Sequence, residues 1–203
     1  MPSFAAFPGF FFAFAAMVLL VIVSVSVPIW DSVYFLKATL NSETVTFGNW
    51  GYCVQGGSCT SAKYGYDLTS TLISDSTGKL SNALSKGLTY VFILHPIAAG
   101  LSFIAALLGL IGTFASSRAS TILMVIASLL ALLVTGVAWI INMIAFGIAR
   151  NRVRNAGGQA SYENGEWILL GAFASLILAS FFAVCGSFGR FRSDRGAGIP
   201  ARY

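Results

Sequence analysis

Three cysteines and a single histidine hold most of the intrinsic reactivity of this chain. Cys53 and Cys59 flank Val54-Gln55-Gly56-Gly57-Ser58, whose glycines can take the positive φ that a tight turn demands. A disulfide across so short a loop is geometrically easy and contributes about 2 kcal/mol. Zinc is the competing chemistry for paired cysteines, but ligands are lacking: the remaining cysteine, Cys185, and the histidine, His95, both fall within long apolar segments. No metal and no other cofactor is expected.

His95 is the one side chain that titrates near neutral pH when unperturbed, which invites a pH-sensing role. The plainer reading is stronger. His95 precedes Pro96, whose missing N–H frees a carbonyl upstream, and a polar side chain at that place satisfies local groups near a membrane interface. The carboxylates lie in loops without motif spacing, so no nucleophile, base and orienting group can be assembled and no catalytic residue is expected. The apolar segments are also expected to lack the buried carboxylates or cations that mark ion and proton pathways.

The elements that position these residues follow from composition. With 203 residues, 57% hydrophobic and 9% charged, the chain has too few charges to cover a water-soluble surface. Four stretches lack charge altogether: one ending at Trp30, then Gly87 to Ser117, Ala119 to Ala149 and Trp167 to Gly189. A hydrocarbon core about 30 Å thick needs about 20 helical residues, and these runs lack the alternation of barrel strands. The expectation is an all-α membrane protein: a four-helix bundle forming one tetraspan domain over 1–203, with spans at about 8–30, 88–114, 120–148 and 167–188. Loops 31–87 and 149–166 lie on one side, and the tail 189–203 on the other. The first span is expected to be retained, because no Lys or Arg precedes it and no small-x-small site separates it from Trp30 and Asp31.

The turn Ala115-Ser116-Ser117-Arg118-Ala119-Ser120 is short enough to make the second and third spans an antiparallel hairpin. Lys and Arg occur on both sides of the membrane, so charge leaves orientation open, and the expected disulfide decides it. Disulfides persist in oxidising compartments, which places loop 31–87 outside and both termini in the cytosol. The formal net charge of +5 is scattered over loops and tail, so nucleic acid is not an expected partner, whereas anionic headgroups suit the basic tail at about 1 kcal/mol per cation.

Within the first loop, Thr44-Val45-Thr46-Phe47 and Tyr52-Cys53-Val54 predict two short strands of a small disulfide-stapled sheet. Leu68, Leu72 and Ile73, then Leu80, Ala83 and Leu84, have the spacing of short amphipathic helices. Small residues on the spans, among them Ala98, Gly109, Gly136 and Gly171, predict close packing inside the bundle in preference to contacts between copies, and Asn142 an interhelical hydrogen bond. Cys185, beside a basic stretch, suits either S-palmitoylation or burial as an unreactive thiol. Arg150, Arg152 and Arg154, with Glu163 and Glu166, could line a partner-binding loop or simply form a solvated face.

Trp30, Gly48-Asn49-Trp50, Cys53 and Cys59 resemble the Trp, Gly-Leu-Trp, Cys and Cys signature of the claudin-type tetraspan superfamily. More specifically, Phe47-Gly48-Asn49-Trp50-Gly51-Tyr52-Cys53, Tyr64-Gly65-Tyr66-Asp67 and Ile93-Leu94-His95-Pro96-Ile97-Ala98-Ala99-Gly100 are similar to the fungal PalI family, over nearly the whole chain. The resemblance implies a claudin-like bundle in a fungal plasma membrane. It makes Tyr64 and Tyr66 further candidates for partner contact. The implied role is a non-catalytic scaffold that binds membrane lipids, a membrane-protein partner or further copies of itself, in eisosome-linked membrane domains and cell-wall integrity. The alternative is an accessory subunit of an ambient-pH receptor, a pH-response role.

Overall fold

The computed structural model describes residues 7–40, 43–62, 91–115 and 118–196. The amphipathic stretches expected between Leu68 and Leu84, and the candidates Tyr64 and Tyr66, lie outside the described residues. Among the described residues four helices carry most of the chain: α1 Phe7–Ser24, α2 Leu94–Ala115, α3 Arg118–Asn155 and α4 Asn164–Gly196. Each contains a stretch long and apolar enough to cross a bilayer, so this is a multi-pass membrane protein.

The helices pack through heptad-spaced small residues. On α1 the buried side is Gly9, Ala13, Ala16, Leu20 and Val23, and on α4 it is Leu169, Ala172, Leu176, Ala179 and Ala183, both with alternating steps of three and four. That spacing keeps one stripe on the bundle axis, and its small side chains let backbones approach closely enough for dispersion to hold them together. Gly136 illustrates the fit: a Cβ there would come within 3.0 Å of the Phe173 ring, so a neighbouring helix of the same chain fills the space. Gly136 thus serves packing within the bundle. α1 and α3 each pack against both α2 and α4. Leu133, Ile140, Ile144 and Phe181 point outward, where acyl chains replace water as solvent.

A four-stranded antiparallel sheet covers one end of the bundle: β1 Leu36–Leu40, β2 Glu43–Phe47, β3 Tyr52–Val54 and β4 Gln159–Tyr162, in the order β3-β2-β1-β4. Its register sets Leu36 opposite Phe47 and Tyr162, and Lys37 opposite Thr46 and Ser161. With a side-chain period of two, Leu36, Ala38, Val45, Phe47 and Ala160 therefore face the bundle and are buried, while Lys37, Thr39, Thr46 and Ser161 form the opposite face. The expected strands 44–47 and 52–54 are β2 and β3. β1 has the same alternation, and β4 comes from the other loop.

α2 begins at Leu94 rather than 88, α4 runs on to Gly196 into the expected tail, and two further boundaries differ from the sequence reading for local reasons. α1 stops at Ser24, not Trp30. Ser24 Oγ donates back to Leu20 O at 2.7 Å, and Pro28 disfavours helix in the residue before it. Trp30 therefore sits beyond the helix, 47% exposed, in a turn whose carbonyl accepts from Val33 N. At the other junction, the loop expected over 149–166 is two further turns of α3, a glycine cap and β4. α3 has 38 residues, about 57 Å at 1.5 Å per residue, far beyond the thickness of a hydrocarbon core. Its end is a Schellman cap: Gly157, at φ +82°, donates to Arg154 O, and Gly158 N donates to Val153 O at 2.9 Å.

Candidate functional site

Gly48, Asn49, Trp50, Gly51, His95 and Pro96, singled out by the sequence, converge where the sheet meets the bundle, and two prolines explain why. A helical carbonyl accepts from the N–H four residues later. Pro28 and Pro96 have none to give, which leaves Ser24 O and Phe92 O without their helical donors. The Gly48-Asn49-Trp50-Gly51 turn supplies both. Trp50 Nε1 donates to Ser24 O, and Asn49 Nδ2 donates to Phe92 O at 3.5 Å. The turn is itself held by Asn49 N on Ser26 Oγ at 2.9 Å and Trp50 N on Val27 O at 3.3 Å. Gly48 lies so close to Val27 that a Cβ there would overlap its carbonyl oxygen. Gly51 lies as tightly against Thr60 Oγ1, which also bonds the backbone of Tyr52. This motif therefore seals two helix ends.

His95 completes the same arrangement. It is fully buried, and its Nδ1 lies 3.1 Å from Phe92 O, the carbonyl four residues before Pro96. A carbonyl only accepts, so Nδ1 carries the proton, and Nε2 accepts from Asn142 Nδ2 at 3.3 Å. Asn142 thus makes the expected interhelical bond, and His95 satisfies the local carbonyl as the plainer sequence reading has it. Around them Phe35, Phe92 and Phe146 stack with ring centroids 5.5 to 6.5 Å apart, joining the chain leading into β1 to α2 and α3. His95 lies 5.8 Å from the Phe35 ring.

The second loop is stitched to the first across this layer. Glu163 N donates to Phe35 O and Gly165 N to Tyr34 O, both at 3.0 Å, while Asn164 Nδ2 donates to Ser32 O at 2.7 Å. Arg150 belongs to the same seam: Nε donates to Ala160 O at 3.3 Å, and its guanidinium lies 5.2 Å from the centre of the Tyr162 ring. Changing Arg150 to Met removes one charged hydrogen bond and one cation–π contact, an expected loss of about 1 to 2 kcal/mol at this half-buried site. Amide exchange should then accelerate in Gln159–Tyr162 while the apolar helix cores keep their protection.

The three arginines thus have different placements. Arg150 braces β4, Arg152 is exposed on the last turns of α3, and Arg154 lines a polar groove of about 530 Å³ with Lys37, Thr39, Gln159, Ser161 and Glu163. Cys53 and Cys59 are joined as a disulfide, with Gly56 at φ +85° in the turn between them. Asp31 brings a carboxylate that spacing did not reveal, so that its oxygen and both sulfurs lie within 4.8 Å of one another. The sulfurs are committed to each other, which leaves that cluster no thiolate for a metal. Cys185 is exposed on α4, facing away from the other helices.

One expectation is overturned. Glu166, assigned to a polar loop, is 2% exposed in the first turn of α4 and heads its buried stripe. The bundle therefore does contain a buried carboxylate. The charge-free count missed it because it stands one residue before Trp167, where the uncharged run begins.

The profile of the SUR7/PalI family matches residues 5–187, which include both prolines, the Gly48–Gly51 turn that answers them, the disulfide and all four spans. A relative in Saccharomyces cerevisiae, the uncharacterized membrane protein TOS7, is 35% identical over 94 residues, 46% of this chain. The match spans 16% of that protein's length. A family match that runs through every element of the bundle and the sealing layer establishes that this chain belongs to the SUR7/PalI family.

Proposed function

We propose that this protein is a non-catalytic scaffold of the plasma membrane, with the sheet outside, both termini in the cytosol, and the sheet's outward face recruiting membrane partners. The observation that carries this reading is the mount: strands from both loops form one sheet, tied to all four helices by the sealing layer. Such a platform holds its surface in a fixed geometry, which lowers the ordering cost of binding. The disulfide supports the outward orientation, because such bonds persist in oxidising compartments.

Partner contact falls to the groove lined by Lys37, Arg154, Gln159, Ser161 and Glu163, whose mixed charges suit a polar protein surface. Lipid-facing apolar side chains on every helix keep the platform in the bilayer, where lateral association organises a membrane domain, in keeping with a part in cell-wall integrity. Cys185, exposed on α4, is available for acylation.

Proximity labelling from the sheet side in the native membrane, combined with single-particle tracking, tests the reading. The protein should occupy slow clusters with a reproducible set of labelled membrane neighbours. Lys37→Glu together with Arg154→Glu should cut that labelling at least fivefold while the disulfide still forms. Free diffusion with no reproducible neighbour would rule out the scaffold.

A further inference from the structure

Three charged side chains line the groove on the sheet's outward face, and the strand register fixes their order along it. Lys37 and Thr39 of β1 lie directly opposite Ser161 and Gln159 of β4, so the four side chains form one patch on one face. Glu163 carries the same alternation one step further, with its N–H on Phe35 O. Arg154 enters at the Gln159 end, because Gly158 N bonds Val153 O and so brings the last turn of α3 beside the start of β4. Along the groove the order is therefore guanidinium, ammonium, carboxylate. From Gln159 to Glu163 four extended residues span about 13 Å.

The two cations have no partner in place. Among the described residues neither Lys37 nor Arg154 makes a side-chain hydrogen bond or an ion pair, although Glu163 lines the same groove. The hydroxyls between them are committed locally: Ser161 Oγ donates to Glu163 Oε1 at 3.0 Å, and Thr39 Oγ1 pairs with Thr44 Oγ1 at 3.1 Å. A ligand thus meets cationic donors over one part of the groove and a carboxylate at its far end. The volume, about 530 Å³, lies within the range of about 300 to 1,000 Å³ usual for ligand sites.

These features select among anions. A phosphate or a phospholipid headgroup is compact and would leave Glu163 unanswered, and an anion long enough to reach Glu163 would be repelled there. The patch is also on the face turned away from the bundle, and so away from the bilayer that holds the bundle. An extended peptide fits better. Its same-side residues recur every second position, so two residues four positions apart lie about 13 Å apart, the span between the groove's ends.

We propose that the groove docks an extended segment of a partner protein in which an acidic and a basic residue stand four positions apart, the acidic side chain on Arg154 and Lys37 and the basic one on Glu163. The planar guanidinium of Arg154 suits a carboxylate through two parallel hydrogen bonds, with Lys37 as the second charge. This ligand class presupposes that the outward face of the sheet recruits partners, and adds the charge spacing that selects them.

The test uses the full chain in nanodiscs of a neutral lipid and two immobilised, end-blocked peptides of one composition. Gly-Glu-Thr-Val-Thr-Lys-Gly sets the charges four positions apart, and Gly-Thr-Glu-Lys-Val-Thr-Gly sets them side by side. The spaced peptide should bind with at least a fivefold lower Kd. Arg154→Gln and Lys37→Gln should each weaken it at least threefold, Glu163→Gln should erase the preference between the two peptides, and Glu43→Gln, on an exposed carboxylate outside the groove, should change nothing. Disulfide formation and an unchanged Tm check that each variant is folded. Equal affinity of the wild type for the two peptides, or binding of neither, would overturn the proposal. So would inorganic phosphate or phosphatidylglycerol vesicles binding more tightly than the spaced peptide and with the same dependence on Arg154, which would make the groove a compact-anion site. If the peptides fail while Lys37→Glu with Arg154→Glu still strips the labelled neighbours in the native membrane, the ligand class falls and the scaffold stands. If no reproducible neighbours are labelled either, both fall.

Discussion

Gly48→Ala is expected to unseat the sheet from the bundle. The added Cβ would overlap Val27 O and approach Val27 Cα to 2.8 Å, and neither can yield without moving the chain that joins α1 to β1. Lifting the turn also withdraws Trp50 from Ser24 O and Asn49 from Phe92 O, the carbonyls that Pro28 and Pro96 leave without helical donors. Overpacking alone costs about 1 to 3 kcal/mol, and losing the Trp50 donor at Ser24 O adds about 1 to 3 kcal/mol, while Phe92 O keeps His95 Nδ1. A combined loss of about 2 to 6 kcal/mol is large beside the 5 to 15 kcal/mol that typically holds a folded protein together. The spans should stay in the bilayer, because their insertion depends on their own apolar length. The readout is therefore local: faster proteolysis within 26–35 and faster amide exchange through β2 and β3, with membrane extraction unchanged. Protection equal to wild type would show that the turn does not seal the helix ends.

Phe35→Ala attacks the same junction from the side of the aromatic cluster. Phe35 is fully buried, stacks on Phe146 at 5.5 Å and Phe92 at 6.5 Å, and through its backbone receives Glu163 N and gives its own N–H to Phe47 O. Truncating a buried phenylalanine to alanine typically costs about 3 to 5 kcal/mol, the transfer loss and the cavity together. Because the ring meets residues of both loops and of α2 and α3, β1 and β4 should lose protection together. Phe35→Leu should recover about half of the loss, since a leucine refills much of the volume but cannot restore the stacked contacts. Equilibrium unfolding in detergent, followed by amide exchange of Leu36–Leu40 and Gln159–Tyr162, measures both variants. Loss of protection confined to one strand would mean that the two loops are not coupled through this ring.

How each feature became visible depends on how local its cause is. The spans are legible because a bilayer tests each segment for itself: a helix needs enough consecutive apolar residues and no charge, whatever its neighbours do. The disulfide is legible because six residues and two glycines already bring the sulfurs within reach. β2 is legible in Thr44-Val45-Thr46-Phe47, and β1 was there to be read, since Leu36-Lys37-Ala38-Thr39 alternates equally well. β4 was not: four residues after a glycine cap carry little pattern, and their partner lies more than a hundred residues upstream.

The sequence by itself determined that this protein lives in a membrane as four helices with a cysteine-stapled strand region, because hydropathy and short-range geometry act within a segment. It also marked Pro96, Asn49, Trp50 and His95 without saying what they share. Only the tertiary structure decided that the side chains of one turn answer carbonyls freed by prolines in two other segments. The same holds for Arg150, which braces β4, and for Glu166, which lies inside the bundle rather than in a loop. The physical reason is that a polar atom's fate depends on which donor reaches it in space, and that is set by packing among elements far apart in the chain.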